Sequence, residues 1–160
     1  MSLLRMLGLS PGERGPRNRV AAAIHERLGR LPPARAEFMA AFAGLLVRVA
    51  YADHELSAEE RKRLPELLIE HAGLPPDEAG VVADVVVAEA TALSGIDYAA
   101  LTGTFNEVAG DDDKKRLIDC LYAIATADDA VSVPEDEEIR RVAHALLLSH
   151  SEFIAIRARY

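Results

Sequence analysis

The sequence predicts an all-α fold, a compact bundle of about 7–9 helices, and three observations carry that prediction. Apolar residues recur with the helical period along most of the chain, and no segment alternates convincingly with period two. The composition suits helix: half of the 160 residues are apolar, and there is no Trp. A core must therefore be built mostly from Leu, Ile, Val and Ala. One unit also occurs twice, since residues 42–68 shifted by 75 positions fall on 117–143 without a gap.

Residues 1–19 read as a basic tail and linker, and 20–160 as a single helical domain. Leu3, Leu4, Met6 and Leu7 form one turn or a frayed end, and the Gly-, Pro- and Arg-rich stretch 8–19 reads as a linker. RVAAAIHERLG is a helix ending at Gly29, and LPP at 31–33 breaks it. A long helix is expected over 34–52, with Phe38, Phe42, Leu45, Leu46 and Val49 on one face. Ser57 opens the next, to about His71. Pro76 and Asp77 start a helix running to about Leu93, because VVADVVVAEA lies in a stretch too long and too rich in Ala and Glu for a strand. SGIDY begins a helix holding Tyr98, Leu101, Phe105 and Val108. GDDD closes it and starts the next, from Lys114 to about Thr126, and helix polarity explains the acids at that start. Another spans Ser132 to about Leu148, and SHSEFIAIRARY ends the chain as a short helix capped by Ser149 or Ser151.

The repeat aligns two helix-turn-helix units, about 34–72 and 111–148. Phe42 matches Leu117, Leu46 matches Leu121 and Val49 matches Ile124; Asp53 matches Asp128, Glu60 matches Glu135 and Leu64 matches Ile139. Two like units with the same apolar face to bury are expected to pack around a pseudo-two-fold axis. Ser57-Ala58-Glu59-Glu60 and Ser132-Val133-Pro134-Glu135 are capping boxes, which explain the Ser and the Glu. Asp53 and Asp128 are explained less well. Each falls at a helix C-terminus, where the macrodipole disfavours an acid by roughly 0.3–1 kcal/mol; the competing account is an Asp-initiated turn. Were the two junctions to meet, Asp53, Glu60, Asp128 and Glu135 would converge and repel unless a cation sat among them, with Ca²⁺ or Mg²⁺ as the fitting ions.

At these residues, VAYADHELSAEE and IATADDAVSVPEDEEI, the sequence resembles the tellurite-resistance protein B (TerB) family, including the TerB-like domain of a membrane-anchored DnaJ-type co-chaperone. LLLSHSEFIAIR and IDYAALTGTF agree with it, and the resemblance covers about 20–158. It implies an all-helical protein of two repeats about a pseudo-dyad. It also implies divalent-cation binding through an acidic cluster that, by motif position, is Asp53, Glu60, Asp128 and Glu135. The family's Gly after the Asp is replaced here by His54 and Asp129. Both tolerate a left-handed turn better than most residues, and both are additional ligand candidates.

Other chemistry is excluded residue by residue. Counted from Asp53, EF-hand positions 6 and 12 hold Ala58 and Leu64; from Asp128 they hold Val133 and Ile139. No His is preceded by Glu three residues earlier, as a di-iron bundle requires. Cys120, the lone cysteine, occupies an apolar repeat position and reads as core; it rules out an internal disulfide. No nucleotide-binding glycine motif or Gly-x-Ser-x-Gly occurs. Net charge is −8, with residues 1–50 at +5 and the remainder at −13, so the body is not expected to bind nucleic acid. No window approaches the ~20 apolar residues of a membrane span, and MSLLRMLGLSPGERGPRNR lacks signal-peptide layout. The chain is thus expected to be a cytoplasmic, non-catalytic, cation-binding regulatory or stress-response module with a protein partner. The alternative is a metal-independent interaction adaptor, co-chaperone-like, in which the acid pairs are only caps and turns.

Overall fold

In a computed structural model, residues 23–24, 26–28, 32–52, 56–127 and 130–160 are described. Among them the regular elements are all helical, with no strand. After helical residues at 23–24 and 26–28, eight helices follow: α1 (Pro33–Ala50), α2 (Ala58–Glu70), α3 (Pro76–Ala88), α4 (Ala90–Ser94), α5 (Tyr98–Val108), α6 (Asp111–Ala125), α7 (Val133–Ala145) and α8 (His150–Arg157). The tail at 1–19 lies outside the described residues.

The repeat survives as geometry. α1 and α6 end at Ala50 and Ala125, and α2 and α7 run 58–70 and 133–145, each pair 75 residues apart. α1 packs on α6 and α7, and α2 packs on α6. The first helix of each repeat thus touches the second helix of the other, the reciprocity that a two-fold relation between like units produces. Phe42, Leu45, Leu46 and Val49 are buried as the face predicts, and so are Leu117, Cys120, Leu121 and Ile124 at the shifted positions.

α3, α4 and α5 pack along α1, with α3 also on α2, and α8 covers α6. α5 approaches α1 most closely at Gly44, where an added Cβ would stand 2.5 Å from Leu101 Cδ2. Phe38, Phe42 and Phe105 meet at that seam with ring centroids 5.3–6.2 Å apart. Arg35 donates to Glu78 on α3 through Nε (3.0 Å) and Nη2, and Arg48 pairs with Glu138 on α7 at 3.2 Å. Buried Tyr122 on α6 donates its hydroxyl to Asp136 Oδ1 on α7 at 2.8 Å. Arg157 on α8 grips the same carboxylate with bonds of 3.0 and 3.1 Å, tying three helices at one point.

Helix bounds differ from the sequence reading in places with local causes. The helix expected from Pro76 to Leu93 is broken at Glu89, whose backbone turns to φ −114°, ψ 24°; the redirected α4 buries Leu93. α6 starts at Asp111 rather than Lys114, since Asp111–Asp113 form a first turn whose acids suit the positive helix end, and Asp113 accepts from the Gly110 amide at 3.2 Å. α7 stops at Ala145, short of Leu148, because Leu147 turns to φ 64°. Of the two serines proposed for α8, Ser149 is the cap.

Candidate metal centre

Each repeat builds the same junction. At the end of α1 the Tyr51 amide donates to Val47 O (3.0 Å) and the Ala52 amide to Val49 O (3.0 Å). At the end of α6 the Thr126 amide donates to Tyr122 O (3.0 Å) and the Ala127 amide to Ile124 O (3.1 Å). Both helices therefore tighten their last turn identically before the chain turns out. The acids and histidine singled out in the two connecting turns, Asp53, His54, Asp128 and Asp129, lie outside the described residues.

The far side of each junction is described. Ser57 and Ser132 adopt extended backbone, and their hydroxyls accept from the amides of Glu60 (3.1 Å) and Glu135 (3.2 Å). The glutamates return the bond: Glu60 Oε2 accepts from the Ser57 amide at 2.7 Å and Glu135 Oε2 from the Ser132 amide at 3.0 Å. These are complete capping boxes, so sequence reasoning on spacing was right about the local structure.

Capping does not account for their burial. Ser149 and Glu152 form a third capping box with the same bonds, at 3.2 and 2.9 Å. There the glutamate side chain stays 40% exposed and pairs with Lys115. Glu60 and Glu135 are 4% and 3% exposed. These two occupy equivalent places in the two repeats, and Oε2 of each is held by the helix start.

The donor chemistry fits a hard divalent ion. Glu60 and Glu135 offer carboxylate oxygens, and neither repeat brings a thiolate, since Cys120 is enclosed in the core with its thiol pushed far up by burial. Among the described residues no group of three or more His, Cys, Asp or Glu side chains gathers as a complete ligand set. Of the candidate residues, Glu60 and Glu135 are the ones that the structure describes.

Sequence reading missed three polar features. His71, at the C-terminal end of α2, is half-buried: its Nδ1 lies 2.6 Å from Asp119 Oδ2, and Tyr160 donates to Asp119 Oδ1 at 2.8 Å. Glu37 is 4% exposed on α1, and its Oε1 has no hydrogen-bond partner. The Arg48–Glu138 pair joins the two repeats. All three depend on contacts between distant segments, which periodicity cannot report; only Glu37 left a trace, as an acid two turns before Gly44 on one helix face.

Comparison with known proteins gives one match. The family model described as "Tellurite resistance protein TerB" matches residues 39–158, three quarters of the chain and both repeats. No curated protein and no solved structure matches.

Proposed function

We propose a function from one premise: the chain belongs to the TerB family. On this reading it is a non-catalytic regulatory module in which a divalent cation links the two helix junctions. Glu60 and Glu135 would supply carboxylate oxygens from the helix starts, and Asp53 and Asp128 from the turns, with His54 and Asp129 as additional candidates. The ion would be Ca²⁺ or Mg²⁺, because the donors are hard oxygens. When bound, it would neutralise like charges that otherwise repel. The repeats would then be locked into one relative setting and would present a defined surface to a partner protein, in a regulatory or stress-response context.

The observation that carries this reading is the burial of Glu60 and Glu135, set against the exposed glutamate of the third capping box. The competing account, a metal-independent adaptor, rests on the completeness of the capping boxes. The test is a thermal melt of chelator-treated protein with and without millimolar Ca²⁺, Mg²⁺, Mn²⁺ and Zn²⁺. An ion at a hundred times its dissociation constant stabilises by about 2.7 kcal/mol. The shift should vanish in Asp53→Asn/Asp128→Asn while the helical spectrum is kept. A shift that persists in the double variant would overturn the ligand assignment, and none with any ion would favour the adaptor.

A further inference from the structure

Among the described residues, three enclosed side-chain atoms find no hydrogen-bond partner in the protein: Glu37 Oε1, the Tyr98 hydroxyl and Asn106 Oδ1. All three belong to one helix or to its seat. Tyr98 and Asn106 stand on α5. Glu37 stands on α1, close enough to Glu107 at the far end of α5 to feel its charge. The seams of α6 are polar and satisfied by contrast. Tyr122 bonds Asp136 of α7, and Asp119 accepts from Tyr160 and Arg159 while facing His71.

The hold on α5 is mostly apolar. Leu101 lies over Gly44, and Phe105 packs on Phe38 and Phe42 of α1. The Arg48 guanidinium covers the Tyr98 ring at 4.7 Å. Among the described residues, one side-chain hydrogen bond crosses from α5 to another helix, from Asn106 Nδ2 to Ala145 O at 3.0 Å. Buried Thr102 turns back on Tyr98 O of its own helix at 3.1 Å. Exposed Gly95 and Gly110 flank the helix. Such a seam opens more readily than the whole fold, because water satisfies the stranded atoms once the helix lifts.

We infer that α5 is a flap gated by the protonation of Glu37: it seats on α1 while Glu37 is neutral and lifts when Glu37 ionises, uncovering Phe38 and Phe42. The charged groups around Glu37 set this direction. On α5 it faces Glu107, an exposed acid. On its own helix Arg35 is bonded to Glu78 of α3 and feels Asp113 of α6. No cation among the described residues pairs with Glu37. Burial and the Glu107 charge both favour the neutral carboxyl. An ionised one is relieved only where water reaches it. The inference is independent of the cation reading, because neither Glu37 nor α5 belongs to the junctions.

The test is native-state hydrogen exchange on the full chain at low denaturant, from pH 5 to pH 8, with rates corrected for intrinsic exchange. At pH 8 the α5 amides should exchange at least about tenfold faster than those of α6, with a weaker dependence on denaturant, as sub-global opening requires. The open fraction of α5 should rise with pH while that of α6 does not. Glu37→Gln should abolish this rise, and Glu107→Gln, a change at an exposed position, should reduce it. Exchange of α5 and α6 as one unit, with equal protection and equal denaturant slope, would overturn the inference. So would an α5 opening that is constant with pH, or a rise that survives in Glu37→Gln.

Discussion

Glu37 is a buried acid that the fold does not compensate, and replacing it should stabilise the protein. It lies two turns before Gly44, on the face of α1 applied to α5. It is 4% exposed, and Oε1 has no hydrogen-bond partner. Arg35, two residues away, is committed to Glu78. Burial, reinforced by the charge of Glu107, raises the Glu37 pKa above its ordinary value. A buried polar group left without a partner costs about 1–3 kcal/mol. Glu37→Gln removes the ionisation cost but leaves a polar amide, so about 1 kcal/mol is expected, or about 2–4 °C for a chain of this size. Glu37→Met removes the polar atoms as well and should gain more.

The pH dependence has a definite sign. A raised folded pKa means that the folded chain keeps a proton the unfolded chain has released. Stability therefore falls as pH rises from the unfolded carboxyl value toward the folded one. The gain from Glu37→Gln should be near zero at pH 4 and reach its plateau above the raised pKa. Melts followed by circular dichroism from pH 4 to pH 8 read this directly. A Gln variant no more stable than the parent at pH 8, or an advantage largest at pH 4, would refute the reasoning.

Two further expectations follow from named contacts. The Arg157 bonds to Asp136 hold that carboxyl below the ordinary range; its stabilisation is present above the unfolded carboxyl pKa and is lost as pH falls through the folded one. Asp136→Asn should therefore melt below the parent at pH 7, with the gap closing on acidification, and a gap constant with pH would contradict the pairing. Pro65 lies inside α2, where it removes a helical hydrogen bond, whereas α7 carries Arg140 at the matching position. Pro65→Ala should raise the free energy of unfolding by up to about 3 kcal/mol, read from a denaturant titration; unchanged or lower stability would mean that the fold depends on the interruption.

The features legible in the sequence were those written locally. The two capping boxes fix where α2 and α7 begin, and the 75-residue shift follows from apolar positions such as Leu64 and Ile139, both fully buried. The break at Glu89 was not legible, because Val85, Val86 and Ala88 suit a continuing helix and only packing of Leu93 rewards the turn. Nor was the stop of α7, since Leu147 is a residue that normally avoids its conformation. Of the candidate site, spacing supplied the cap bonds of Glu60 and Glu135. Their burial is set by how the repeats pack and could not be read from spacing.

The most direct test of the cation reading is a calorimetric titration of chelator-treated protein with Ca²⁺, repeated with Mg²⁺. A cation linking both junctions predicts saturable uptake of one ion per chain, lost both in Asp53→Asn/Asp128→Asn and in Glu60→Gln/Glu135→Gln. Two independent ions, uptake indifferent to these substitutions, or no saturable heat with either ion would contradict it. The junctions would then be capped helix turns and nothing more.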